Sequence, residues 1–221
     1  MRIAFDFEAM PTETKIDTIS LRVTPGSIEE MAASLPESAK AKYYDGYMQY
    51  PDATWKRVKY RMRGKSIWHW MPEKPSLRLK LRKANPLFLQ NHINLVNPED
   101  RAMVSNILSE RITQDMGVLT HWSRFVRMLV NDKYFGVYHM TTREDEGMLR
   151  VNKRVPGPLF VGENLTLPWS VKDFEIKGET DVLDTLSPMK MMISALYAPT
   201  SAEQLEALWK IVSFEKMARW D

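Results

Sequence analysis

Basic residues alternate with apolar ones in two short segments of the sequence. Between Lys56 and Lys83 there are eleven Lys or Arg residues and one acid, Glu73. Successive residues of a β-strand point to opposite faces, so each segment predicts a strand with one cationic and one apolar face. If the two strands pair around a common core, seven cations share one face of a sheet: Arg57, Lys59, Arg61, Arg63, Arg78, Lys80 and Arg82.

Two interpretations of this cationic face are open on charge alone. The face can meet an anion such as a polyphosphate, a nucleotide or a phosphorylated partner, because so many like charges on one surface repel one another. It can equally be a solvated outer face with scattered counter-charges. In both cases the alternation predicts that Val58, Tyr60, Leu79 and Leu81 are buried on the opposite face of the sheet.

The composition limits the classes of protein and site that fit the sequence. The formal net charge is +3, yet outside residues 56–83 there are 20 basic and 27 acidic residues, so the positive charge is local. Cysteine is absent, which excludes disulfides and thiolate zinc sites. The histidines are scattered, so we predict no metal site. No run of about 18 apolar residues occurs, so we predict no membrane span. The acids within residues 1–8 do not fit the apolar stretch of a signal peptide.

The spacing of apolar and turn residues predicts a mixed order of strands and helices. Strands are predicted at 16–23, 41–50, 55–63 and 76–82, a hairpin at 124–130 and 133–141, and a short extended piece at 93–96. Helices are predicted at 26–35, 98–116, 144–151, 187–197 and 201–218, with irregular chain from 152 to 182. This order indicates an α+β fold with a largely antiparallel sheet and flanking helices.

Three motifs in this order resemble one protein family. Arg63-Gly-Lys-Ser-Ile-Trp68, followed by Lys74-Pro-Ser-Leu-Arg-Leu-Lys-Leu81, resembles the "RGxSTW … KKPYRLKL" signature of CotH-type proteins, which are atypical protein kinases. The hairpin from Phe125 to Tyr138 resembles the family's R-x-x-x-V-N-G-x-Y-x-G-V-Y stretch, and 144–149 resembles the x-D-x-x-F-L that follows. The resemblance covers about residues 16 to 165.

The resemblance implies a protein-kinase-like N-lobe and the start of a C-lobe. It implies a kinase-like N-terminal lobe at 1–150, followed by an irregular linker and helical segment at 151–221. The strand at 76–82 takes the place of the strand that carries the phosphate-binding Lys, and the helix at 98–116 takes the place of the helix that supplies its acidic partner. The implied activity is transfer of the γ-phosphoryl of ATP, with Mg²⁺, to Ser or Thr of a coat or secreted protein.

Six residues are the candidate nucleotide-binding residues. They are Arg63, Ser66, Lys74, Arg78, Lys80 and Glu110. Lys80 is the first choice for a phosphate contact because it is central on the cationic strand face, and Glu110 is a candidate partner for it. Each of these side chains can also be an ordinary solvated charge.

The sequence also departs from the family pattern. Thr142 stands where CotH-type proteins commonly carry a Glu, and we find no candidate for the catalytic base or for the metal-binding carboxylates of the family's C-terminal half. We therefore expect the N-terminal lobe of a longer protein, inactive alone, and the resemblance implies a coat, surface or extracellular location. The alternative is a non-catalytic module that binds acidic or phosphorylated partners. Few aromatic residues accompany the cations, so we predict no nucleic acid partner.

Overall fold

The computed structural model describes residues 16–35, 42–51, 54–64, 67–70, 74–101, 104–155, 157–162, 169–177 and 185–213. The strands are β1 (Thr18–Arg22), β2 (Tyr44–Gln49), β3 (Trp55–Met62), β4 (Leu77–Leu81), β5 (His92–Val96), β6 (Ser123–Val130), β7 (Lys133–Thr142), β8 (Leu159–Gly162) and β9 (Phe174–Lys177). The helices are α1 (Ser27–Ala33), α2 (Ser105–Asp115), α3 (Glu146–Val151), α4 (Ser187–Leu196) and α5 (Ser201–Trp209). The described residues form two compact units: the first comprises those up to Glu110 and His121–Arg143, the second Arg111–Thr120 and those from Glu144 onward.

In the first unit, the sheet closes on itself in the order β1-β2-β3-β4-β5-β7-β6. Neighbouring strands are antiparallel except β1 and β6, which pair in parallel and close the barrel. The predicted α+β class with a largely antiparallel sheet is therefore confirmed. The closure was not predicted, because the partners β1 and β6 lie about a hundred residues apart and share no local sequence signal.

The core of the first unit lies inside the closed sheet. Val58, Tyr60, Leu79 and Leu81 are all at most 4% exposed, as the alternation predicted. The register pairs Lys59 with Lys80 and Arg61 with Arg78 directly across β3 and β4, which confirms that these cations share the outer face. Each fully buried Leu or Met side chain contributes about 1.5–3 kcal/mol to the burial term. The other fully buried side chains of this core include Ile19, Met48, Met62, Leu77, Ile93, Leu95, Val126, Met128, Tyr138 and Met140.

The hairpin of β6 and β7 matches its prediction. Asn131 and Asp132 form the turn with φ angles of 48° and 65°, the left-handed conformation that tight hairpin turns require. The Asn131 side chain also accepts a bond from the Val23 backbone N–H at 2.9 Å and donates one to the Val23 carbonyl at 3.1 Å. This amide therefore ties the hairpin to the end of β1, where the sheet closes.

The helix predicted at 98–116 differs from the structure in one respect. A 3₁₀ turn at Pro98–Arg101 precedes α2, so the helix is not continuous over the described residues. Val104, Leu108 and Ile112, which recur at helical spacing, are 54%, 56% and 51% exposed. A helical period shows that three residues share a face of the helix, but it does not show whether another element covers that face.

The second unit contains a strand pair that was not predicted. β8 and β9 form an antiparallel two-stranded sheet within 152–182, which was predicted to be irregular. Four-residue strands are too short for alternation to separate them from loops. The helices predicted at 187–197 and 201–218 appear as α4 and α5, but α5 ends at Trp209 and residues 210–213 are not helical. No described helix is both long and apolar enough to cross a membrane.

Candidate functional site

A polar row crosses the outer face of the sheet in the first unit. Arg61 on β3 is in register with Arg78 on β4, Arg78 with Asn94 on β5, and Asn94 with Thr141 on β7. Side chains in register on neighbouring strands point to the same face, so these four side chains form one line on the outside of the barrel. The pairing of the strands therefore brings together side chains that lie up to 80 positions apart in the sequence, from Arg61 to Thr141.

Arg78 is the central cation of this row. Its Nε donates a hydrogen bond to Asn94 Oδ1 at 2.9 Å, and Asn94 Nδ2 donates to the Thr142 carbonyl at 3.4 Å. Burial, followed by repulsion from Arg143, Arg63 and Arg61, lowers the pKa of Arg78 to about 10. A guanidinium stays charged at neutral pH, so the lowered pKa means that this charge is held in the folded protein at a cost in free energy.

The four arginines Arg61, Arg63, Arg78 and Arg143 form what we call the arginine cluster. Asn94 is a neutral partner for Arg78, so it leaves the positive charge uncompensated. The buried Nε of Arg143 has no hydrogen-bond partner among the described residues, and neither does the buried Oγ1 of Thr141. An anion with several acceptor oxygens would satisfy such donors and remove the mutual repulsion of the cluster. Planar guanidinium groups suit phosphate oxygens best, because they can donate two parallel hydrogen bonds.

Tyr43 marks the edge of the arginine cluster. Its ring lies 4.7 Å from the Arg61 guanidinium carbon and 5.9 Å from the Lys80 ammonium nitrogen. A cation over an aromatic face gains about 0.5–1 kcal/mol at an exposed site. The same ring therefore lies within reach of Arg61 in the arginine cluster and of Lys80 next to it.

Lys74 is buried and ion-paired, which its place beside the signature loop did not predict. Its ammonium lies 2.8 Å from Glu99 Oε1, and the two side chains are 7% and 36% exposed. The Asn97 side chain accepts the Glu99 backbone N–H at 3.2 Å and thereby fixes the start of the 3₁₀ turn that carries Glu99. The Lys74 ammonium also lies 5.7 Å from the centre of the Tyr138 ring. A buried ammonium with one carboxylate partner is held in a single orientation.

The predicted pairing of Glu110 with Lys80 is wrong. Glu110 Oε2 lies 3.2 Å from Nε2 of His139, a buried side chain on β7. Lys80 is exposed and lies opposite Lys59. Because His139 precedes Thr141 by two positions on one strand, Glu110 meets the same outer face of the sheet as the polar row, but at another point. The contact fixes the first turns of α2 against that face.

The structure brings together some of the predicted site residues and separates others. Arg63 and Arg78 lie in the arginine cluster, where the Arg63 backbone N–H also bonds the Ser76 carbonyl at 2.9 Å. Lys74 and Glu110 belong to two separate pairs, and Ser66 lies outside the described residues. Three residues of the candidate site were not predicted from the sequence: Asn94 and Thr141 of the polar row, and Arg143 of the arginine cluster. The alternation of His139, Thr141 and Arg143 at the end of β7 is the signal that could have identified two of them.

A metal site requires several ligating side chains close together. No group of three or more His, Cys, Asp or Glu side chains that could hold a metal ion occurs in the part of the chain that the structure describes.

Comparison with known protein families assigns the chain to one of them. The sequence model of the family described as CotH kinase protein matches residues 60–176, more than half of the chain. The chain belongs to the CotH kinase protein family. The match begins in β3, ends in β9 and includes all four residues of the arginine cluster. The resemblance seen in the sequence is thus confirmed, and the CotH family gives the chain a kinase-like function at the level of the family. No curated protein matches the chain.

Proposed function

We propose that the arginine cluster binds the phosphate groups of ATP in a CotH-type protein kinase. The observation that carries the proposal is Arg78, a largely buried guanidinium whose side-chain partner is the neutral Asn94 and whose neighbours are three further arginines. Phosphoryl transfer develops negative charge on the transferred group, and fixed cations in a poorly solvated site stabilise that charge. The acceptor would be a Ser or Thr hydroxyl of a coat or secreted protein.

A kinase-like N-lobe accounts for the elements around the cluster. In such a lobe a helix packs on one face of the sheet, and the chain leaves the last strand as a hinge beside the nucleotide. Here Glu110 of α2 contacts the face that carries Arg78, and β7 ends at Thr142, next to Arg143. Membership in the CotH family suggests ATP with Mg²⁺ as the phosphoryl donor.

Five of the six predicted nucleotide-binding residues take part in this proposal. The sixth, Lys80, which was the first choice for a phosphate contact, is exposed opposite Lys59 and lies outside the arginine cluster. Arg63 and Arg78 donate to phosphate oxygens from the cluster. Lys74 takes the place of a phosphate-directed lysine whose position is fixed by Glu99, and Ser66, in the signature loop beside Gly64, supplies a hydroxyl. Glu110 does not contact the nucleotide in this proposal. It holds α2 against the sheet through its contact with His139.

Polyphosphate should stabilise the folded chain. A ligand at 100 times its dissociation constant adds about 2.7 kcal/mol, and for a chain of this length that raises the melting temperature by about 5–10 °C. We expect ATP and inorganic tripolyphosphate to produce such a rise, diminished by salt, and adenosine to produce little. Thermal unfolding with each compound measures this. A rise with adenosine equal to that with ATP, or no rise with either polyphosphate, would contradict phosphate binding at the cluster.

A further inference from the structure

A second cationic surface lies next to the arginine cluster on β3 and β4. It is an open groove of about 460 Å³ in the first unit, which we call the cationic groove. Its lining consists of Asp45, Arg57, Val58, Lys59, Lys80, Leu81, Arg82 and Lys83. Five of these eight residues are basic and one is acidic. None of the four arginines of the cluster lines it, although Lys59 and Lys80 lie two positions from Arg61 and Arg78 on the same face of the sheet.

The charges of the cationic groove are poorly compensated. Asp45 is already engaged, since its Oδ1 lies 3.2 Å from an Arg57 nitrogen. Among the described residues, Lys59, Lys80, Arg82 and Lys83 have no acidic partner. Lys59 and Lys80 are directly opposite each other on antiparallel strands, an arrangement that destabilises a sheet when the charges are alike. An anion bound between the two lysines would reverse that effect.

The chemistry of the lining selects one kind of anion. No aromatic side chain lines the groove, so nothing there stacks on a nucleotide base, as single-stranded nucleic acid sites require. A phosphorylated side chain carries about −1.5 to −2 charges, which matches the two ammonium groups of the paired Lys59 and Lys80, whereas a carboxylate carries one. Arg57 and Arg82 flank the lysines and can donate paired hydrogen bonds to the phosphoryl oxygens. The groove is open along the strands, so a polypeptide can lie across it.

We propose that the cationic groove binds a phosphorylated segment of a polypeptide, with one phosphoserine or phosphothreonine between Lys59 and Lys80. The site does not include the arginine cluster, so the proposal does not depend on nucleotide binding there. If the chain acts as a protein kinase, the groove retains a polypeptide that has already received a phosphoryl group. Retention of that kind favours further phosphorylation of the same molecule.

The test uses a labelled Gly-Ser peptide with two phosphoserines, the same peptide without phosphate, and one with Glu at those positions. Fluorescence anisotropy at low salt should show binding of the phosphopeptide that exceeds binding of the Glu peptide at least about fivefold. The double variant Lys59→Ala/Lys80→Ala should bind the phosphopeptide at least about tenfold more weakly, as expected for loss of a charge-assisted hydrogen bond. The variant Lys59→Arg/Lys80→Arg should retain binding.

Two controls separate this site from charge in general and from the nucleotide site. Lys133→Ala/Lys190→Ala removes the same charge from exposed positions outside the groove, and should change phosphopeptide binding less than twofold. Arg78→Met should also change it less than twofold, although it should reduce the stabilisation by ATP. Lys59→Ala relieves repulsion across the strands, so unfolding experiments should find the variant at least as stable as the unmodified chain.

Four outcomes would overturn the proposal. Equal losses in the groove variant and in Lys133→Ala/Lys190→Ala would show diffuse attraction without a site. Equal binding of the Glu peptide and the phosphopeptide would assign the groove to acidic segments. Tighter binding of single-stranded DNA of the same charge would assign it to nucleic acid. Loss of phosphopeptide binding in Arg78→Met would mean that the groove and the arginine cluster form a single anion site.

Discussion

Replacement of Arg78 by methionine should lower the affinity for ATP roughly 10–100-fold. Hydrogen bonds to a charged group contribute about 1.5–3 kcal/mol, and each 1.4 kcal/mol is a factor of ten in the dissociation constant. Methionine has a volume close to that of the arginine stem and fills the space beside Asn94 without the charge. Calorimetric titration with ATP measures the change directly.

The same variant shows whether the loss is local. Arg111→Met removes a guanidinium whose side chain is 72% exposed and pairs with Asp115 at 3.7 Å, so it should change ATP affinity less than twofold. Arg78→Met removes a charge that burial and three arginines disfavour, but it also removes the donor to the buried Asn94 Oδ1, so these two effects on the stability of the unliganded variant oppose each other. An unchanged ATP affinity, or equal losses in both variants, would show that the cluster is not the phosphate site.

Glu99→Gln should lower the free energy of unfolding by about 3 kcal/mol. The change leaves the Lys74 ammonium buried without a counter-charge, and breaking a buried pair from one side costs about 3–5 kcal/mol. The lower end of the range applies because Glu99 is partly exposed. For a chain of this length the melting temperature should fall by about 6–12 °C. Chemical denaturation and thermal unfolding measure both quantities.

A double variant distinguishes the buried charge from simple loss of packing. Lys74→Met/Glu99→Gln removes both members of the pair, so it should recover more than half of the stability that Glu99→Gln loses. Glu206→Gln breaks the exposed pair of Lys210 and Glu206, which should change stability by less than about 1 kcal/mol. Additive losses from Lys74→Met and Glu99→Gln would show that the two side chains do not stabilise each other.

Alternation predicted the two faces of β3 and β4 because a strand has a period of two residues. Burial of Val58 and Leu79 on one face fixes the register between the strands, because a shift by one residue would turn one strand's apolar side chains to the opposite face. Arg61 and Arg78 then share the other face. The hairpin of β6 and β7 was predictable for a similar reason, since Asn131 and Asp132 form a turn that adjacent residues determine. Both predictions depend on neighbours in the sequence.

The parts that escaped prediction depend on contacts between distant residues. The β1–β6 pairing, the Lys74–Glu99 pair and the Glu110–His139 contact each join elements whose spacing carries no common pattern. Arg143 joined the cluster because β7 and β4 share β5 as a neighbour, a topological fact that the sequence does not state. Similarly, helical spacing shows that Val104, Leu108 and Ile112 share one face of the helix. It does not show whether another element packs on that face, because this depends on distant parts of the chain.

Nuclear magnetic resonance of the arginine side chains during an ATP titration tests the central claim most directly. Each guanidinium Nε–Hε group gives a separate signal, and the signal absent in Arg78→Met assigns Arg78. We predict that the Arg78 and Arg143 signals shift with one saturable dependence on ATP, while those of Arg57 and Arg82 in the cationic groove stay in place. Shifts confined to Arg57 and Arg82, or no arginine shift at saturating ATP, would contradict phosphate binding by the arginine cluster.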